Sequence, residues 1–153
     1  MVCIREMCPE DYDQKAYVHW KTWRETYTGL MEESYLSSLT LEKCQTLVRR
    51  WPQNTLVAEL DGKIVGFSCY GHTENGEGEV IAIYLLKEVQ GTGLGWKLMN
   101  ATVAQLTENP TIGLWVLKGN NQAIGFYEHY GFHLSGKEKT GSVGTELWMV
   151  YTR

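Results

Sequence analysis

Proline and cysteine are scarce in this chain, with three and four in 153 residues. Pro9, Pro52 and Pro110 stand far apart, so no proline-rich or low-complexity segment divides the sequence. Cys3, Cys8, Cys44 and Cys69 form no C-x-x-C pair and have no zinc-like spacing to His19, His72, His129 or His133. A metal site and a disulfide framework are therefore not expected, and reduced thiols of a cytoplasmic protein are. Basic charge is also short: 14 Lys and Arg face 18 Asp and Glu, for a net charge of −4. That balance disfavours nucleic acid or an anionic membrane as the main partner and suits a cationic small molecule such as an amine. No apolar run approaches the roughly 20 residues of a membrane-spanning helix. The start of the chain, with Arg5, Glu6, Glu10 and Asp11, lacks the apolar core of a secretory signal. What remains is ordinary globular composition, 43% hydrophobic and 21% charged, expected to fold as a single domain over 1–153.

The hydrophobic period changes along the chain. A short strand, β1, is predicted at Val2–Glu6. After Pro9 comes a helix, α1, with Ala16, Trp20, Trp23 and Tyr27 on one stripe. A short helix α2 follows at Glu32–Leu39. Thr40 then reads as the N-cap of α3, which carries Lys43, Arg49 and Arg50 towards solvent and stops before Pro52. Thr55–Leu60 (β2) and Lys63–Tyr70 (β3) flank Asp61-Gly62, a strong hairpin signal. Glu79–Leu86 is predicted as β4, Gly93–Thr107 as α4, Ile112–Leu117 as β5 and Asn121–Tyr130 as α5. Two last strands, β6 and β7, are predicted near Phe132–Lys137 and Thr145–Tyr151, joined by Gly141 to Gly144. The order describes an α/β protein with a mixed sheet.

The densest signal is Gln90-Gly91-Thr92-Gly93-Leu94-Gly95, placed between β4 and the helix carrying Leu94, Leu98 and Ala101. Alternate glycines let the backbone approach a ligand with no Cβ in the way. The first turn of the helix offers unpaired N–H groups and the positive end of its dipole, a cradle for phosphate. Register excludes two nucleotide motifs. Counting from Gly91 and Gly93, the third glycine of G-x-G-x-x-G would fall on Trp96. A P-loop likewise needs Gly where Trp96 stands.

Q-x-x-G-x-G with an apolar residue three on, Leu98, resembles the coenzyme A loop of the GNAT N-acetyltransferase superfamily. Downstream, Asn120, Ala123, Tyr127, Gly131 and Phe132 match its second signature, N-x-x-A-x-x-x-Y-x-x-x-G-F. Ile83-Tyr84-Leu85 resembles the family's β4, and Trp20, Trp23, Tyr27 and Gly29 resemble the acceptor-side helices of bacterial polyamine- and small-amine-acetylating members. The resemblance implies a mixed, mostly antiparallel sheet flanked by helices and splayed between β4 and β5. It implies acetyl-CoA as co-substrate, direct transfer to an amine in a ternary complex, and a homodimer through the C-terminal strands.

Roles carried over by the resemblance fall on matching residues. Gln90, Gly91, Thr92, Gly93, Leu94, Gly95 and Trp96 would hold the pyrophosphate, with Asn120 near the pantetheine or diphosphate when it does not simply cap α5. The backbone of Ile83, Tyr84 and Leu85 would pair with the pantetheine and supply a one-group oxyanion donor. Tyr127 is the catalytic candidate, protonating or positioning the leaving thiolate. Glu79, eleven residues before Gln90, matches the general base of the histone-acetylating branch. Trp23, Glu25, Tyr27, Glu32 and Glu33 would line the acceptor side, where aromatic and acidic groups suit an alkylammonium. A peptide or protein acceptor and a non-catalytic acyl-CoA sensor are the alternatives.

Overall fold

The computed structural model describes residues 1–153. In chain order it holds β1 (Val2–Glu6), α1 (Tyr12–Tyr27), α2 (Glu33–Ser38), α3 (Leu41–Arg50), β2 (Thr55–Leu60), β3 (Lys63–His72) and β4 (Gly78–Leu85). Then come α4 (Leu94–Ala104), β5 (Thr111–Leu117), α5 (Asn121–Tyr130), β6 (His133–Gly141) and β7 (Gly144–Thr152). Local chemistry accounts for the boundaries. Asp61 and Gly62 both take positive φ, 51° and 84°, as a type I′ hairpin turn demands. The Thr40 hydroxyl accepts from the Lys43 N–H at 3.1 Å and starts α3. Helix α4 ends three residues earlier than its apolar pattern suggests. There the amides of Gln105 and Leu106 turn to carbonyls three residues back, and Arg153 donates to the Val103 and Leu106 carbonyls at 2.8 Å.

The seven strands form one sheet in the order β1-β2-β3-β4-β5-β7-β6. Every neighbouring pair is antiparallel except β4 and β5, which are parallel and paired only at Gly78–Ile112 and Glu79–Gly113. Beyond those two rungs the strands part. The expected splay is therefore present, and its pivot lies at the N-terminal ends of both strands.

Helices cover both faces of the N-terminal half. On β3, Phe67 meets His19 of α1, while the next residue, Ser68, bonds Thr102 of α4 at 2.6 Å on the opposite face. With both faces covered, Leu56, Val57 and Ala58 of β2 are all buried. The core is correspondingly divided. One cluster gathers Val18, Val57, Ile64, Phe67 and Leu94, and the other Val80, Met99, Ile112, Leu114, Phe132 and Met149. Helix α4 bridges them, with Leu94 in the first and Met99 and Val103 in the second. Full burial of each such side chain contributes about 1.5–3 kcal/mol, so α4 ties together two half-sheets that backbone pairing barely joins.

Candidate active site

The gap between the parted strands is a cleft of about 740 Å³. Its walls come from β4 (Val80 to Leu85), β5 (Leu114 to Val116), the glycine loop, one side of α5 and the end of α1. Gln90, Gly91, Gly93, Gly95, Trp96 and Asn120 line it, as the motif implies. Thr92 and Leu94 do not. The Thr92 hydroxyl bonds the Val89 carbonyl at 2.6 Å and shapes the turn, and the Leu94 side chain is buried in the core.

One end of the cleft is made of backbone. Gly91 and Gly93 have φ of 79° and 86°, the left-handed region that favours glycine, and an added Cβ at either would meet nothing within 4 Å. The first α4 amide to find a carbonyl is that of Lys97, bonded to Gly93 at 3.2 Å. The six amides from Gly91 to Trp96 therefore donate to no acceptor in the protein. Such a run of orphan donors at a helix N-terminus is an anion site. Gln90 serves it indirectly. Its Nε2 donates to the Leu85 carbonyl and its Oε1 accepts from Gln122, both at 3.1 Å, so the side chain straps the loop to β4 and α5. Asn120 caps α5 through the Ala123 N–H at 3.3 Å while remaining in the cleft wall. Trp96 stands in the first turn of α4 with its ring 5.4 Å from that of His129.

Strand β4 carries the middle of the cleft. Leu86 donates to Val65 at 2.9 Å, and Leu85 and Ile83 stand opposite Gly66 and Ser68. Alternation along an antiparallel ladder then points the amides of Ile83 and Leu85 away from β3, into the gap. Tyr84 pairs with Phe67 in the ladder, so its backbone is engaged and its contribution is its side chain. The sequence pattern does not reveal one further feature. Val80 and Ala82 pair with the adjacent residues Tyr70 and Cys69, leaving Ile81 as an unpaired bulge, 59% exposed.

The other end is made of side chains. The Tyr27 and Tyr84 hydroxyls bond each other at 3.0 Å. Tyr127 lies in the wall with its ring against Phe126 and Phe132, at 5.7 and 5.9 Å. Burial raises the pKa of all three phenols, and the charge of Glu146 on β7 adds to the effect on Tyr27 and Tyr84. They stand as neutral donors. Glu25, expected on the acceptor side, lines the cleft and accepts from the Lys87 N–H at 3.1 Å.

Four further candidates, Trp23, Glu32, Glu33 and Glu79, lie outside the wall. The Trp23 ring packs edge-on against Tyr27 at 4.8 Å, its Nε1 buried without a partner, and supports the site from behind. Glu32 and Glu33 are exposed at the start of α2 and form no part of the cleft lining. Glu79 sits at the pivot, paired with Gly113, next to the cleft residue Val80. Burial raises its pKa, while Lys139 draws it back down.

A sheet parted beside a glycine loop and a helix N-terminus is the architecture of a coenzyme-fed acyl transferase, and relationships agree. Residues 16–132 match the model of the acetyltransferase (GNAT) family. The uncharacterized N-acetyltransferase YuaI of Bacillus subtilis is 33% identical over 141 residues, covering 85% of this chain and 79% of that protein. A probable N-acetyltransferase of Mycobacterium tuberculosis is 26% identical over 147 residues, 90% of this chain and 83% of its own. The PaiA N-acetyltransferase of Thermoplasma acidophilum, solved in complex with coenzyme A, shares the fold with a TM-score of 0.80 at 23% identity over 100% of this chain and 99% of its own. The chain belongs to the acetyltransferase (GNAT) family. It is accordingly an N-acetyltransferase with acetyl-CoA as its acetyl donor.

Proposed function

We propose that this cleft transfers acetyl from acetyl-CoA directly to a small primary amine, polyamines included, within a ternary complex. The observation that carries the reading is one cleft with six free amides at one end and three neutral phenols at the other. The amides of Gly91 to Trp96 take the pyrophosphate. Those of Ile83 and Leu85 face the pantetheine, and a β4 N–H beside the Ile81 bulge receives the negative charge that develops on the thioester oxygen. None of the four free thiols lines the cleft, which favours direct attack over an acyl-enzyme.

Two proton problems remain. An alkylamine near pKa ~10.4 must lose a proton, at a cost of roughly 4–5 kcal/mol at neutral pH. Glu79 is the base, its raised pKa narrowing the gap to the amine and its position at the pivot of β4 placing it next to the cleft residue Val80. The departing thiolate presents the opposite problem. Proton transfer from an ordinary phenol to a thiolate is uphill by about 2 kcal/mol, and burial makes Tyr127 a weaker acid still. Tyr127 therefore stabilises the thiolate by donating a hydrogen bond, and full protonation follows from solvent. The Tyr27–Tyr84 pair and Glu25 orient the acceptor, and the net negative charge favours a cation. Strand β6, exposed along its whole length, offers an edge to a second copy of the chain.

The test is chromatographic detection of acetylated product from acetyl-CoA and a panel of polyamines, monoamines, amino acids and Lys or N-terminal peptides, followed by two-substrate kinetics on the best acceptor. Acetylated small amines and intersecting double-reciprocal lines are expected. Exclusive acetylation of peptides overturns the acceptor class, and parallel lines overturn the ternary complex.

A further inference from the structure

Beyond the phenols the cleft wall continues into a feature that no motif marks. Trp115 of β5 lines the cleft and lies against Trp148 of β7, ring centroids 5.0 Å apart. The Trp148 ring fills the space above Gly113, where an added Cβ would fall 1.9 Å from it, so the indole pair is locked in place. Glu146, two residues from Trp148 along β7 and on the same face of the strand, has its side chain 27% exposed, and its charge acts on both Tyr27 and Tyr84. Glu79 stands at the pivot, paired with Gly113 two residues before Trp115 on β5. Aromatic face and carboxylates together make a receptor for an alkylammonium.

That place already holds a cation, and it belongs to the chain. The Lys139 Nζ of β6 lies 4.4 Å from the centre of the Trp115 ring and 3.8 Å from Glu146 Oε1, and its charge reaches Glu79. Lys137 Nζ stands 5.5 Å from both indoles. The hold on Lys139 is weak. Its side chain is 53% exposed, every residue of β6 is exposed, and the β6–β7 register slips between Leu134 and Glu138. Exposed ion pairs and exposed cation–π contacts each contribute little.

We infer that Trp115 and Glu146 form the subsite for the acceptor's ammonium group, and that Lys139 occupies it as an internal stand-in displaced by the substrate. This rests on the acetyl-transfer reading and narrows it. The acceptor class is a primary aliphatic amine with an unbranched, lysine-like stem, and Lys139 sets a threshold against amines that bind weakly. Glu146 and Trp115 hold the cationic form, while deprotonation falls to Glu79.

The experiment reads binding apart from turnover. The probe is n-pentylamine, with 1-pentanol as its neutral counterpart, added to the coenzyme A-saturated protein. Binding is followed by the Trp115 indole N–H signal in ¹H–¹⁵N spectra, assigned by its disappearance in Trp115→Phe. Glu146→Gln should weaken n-pentylamine about tenfold and Lys139→Met should tighten it about threefold, while 1-pentanol responds to neither. An n-pentylamine affinity unchanged in both variants, or equal affinity for the alcohol, overturns the subsite. Lys139→Met weakening the amine overturns the stand-in. If these shifts occur but no acetylated n-pentylamine forms, the subsite stands and the transfer reading is what fails.

Discussion

The two ends of the cleft are built on different principles. At the proposed coenzyme end the groups on offer are unpaired backbone amides, six in a row within one short segment. At the proposed acceptor end they are side chains brought from α1, β4, β5, α5 and β7, none adjacent in sequence. A backbone site depends on glycine and on where a helix starts, so one local stretch specifies it and side-chain exchange scarcely tunes it. A side-chain site depends on tertiary packing, so single substitutions re-aim it. This division suits an enzyme whose donor is fixed and whose acceptor differs among relatives on one scaffold.

The largest expected effect lies under the acceptor end. His19 packs against Phe67 and Trp23, and burial, with a smaller push from Lys15, lowers its pKa from 6.5 to about 4. Below pH 6.5 the unfolded chain binds a proton there that the folded chain refuses. Stability from this source is thus complete above 6.5 and lost as pH falls towards 4, by about 3 kcal/mol in all. His19→Phe should remove that loss, and urea unfolding at pH 7 and pH 4.5 measures it. Equal acid sensitivity in both proteins would show that His19 titrates normally.

Next comes Tyr127→Phe. Loss of the hydrogen bond to the departing thiolate should lower kcat on the order of a hundredfold and leave coenzyme A affinity within about twofold. The reverse pattern would move Tyr127 to the coenzyme end. Gly93→Val forces a β-branched residue to a φ of 86°. It should weaken coenzyme A roughly thirtyfold while kcat at saturation holds, as titration calorimetry and saturation kinetics will show. A fall in kcat alone would erase the division of labour.

Smaller still, Glu79→Gln should lower kcat/KM about tenfold at neutral pH and flatten its acid limb. Because the pKa of Glu79 is raised above 4.5, that limb in the unaltered enzyme begins at a higher pH than an ordinary carboxylate would give. A limb unmoved by the substitution would assign the base to another group or to water. Thr40→Ala, remote from both ends, should cost about 1 kcal/mol of stability with both substrate constants unchanged; a changed KM would tie α3 to the site.

How far the sequence discloses the site follows the same divide. The hairpin at Asp61-Gly62, the cap at Thr40 and the loop from Gly91 to Gly95 are local and carry their own signals. Tyr127 is visible because it stands at fixed spacing from Asn120 and Gly131 on one helix. Glu146 and Trp115 carry no such spacing; they meet only because β7 inserts beside β5. Of the acceptor-side residues chosen for type in the right region, Glu25 and Tyr27 line the cleft, while Trp23, Glu32 and Glu33 do not. The Ile81 bulge is invisible for a related reason, since a slip of one residue is a property of pairing with β3, not of β4 itself.

The six unpaired amides of Gly91 to Trp96 are the foundation of the account, and one measurement addresses them directly. In ¹H–¹⁵N spectra recorded while coenzyme A is added, the account predicts that these amides move downfield together and saturate at one affinity as they bond to phosphate. Saturable binding that leaves them in place, or a coenzyme that does not bind at all, would contradict it.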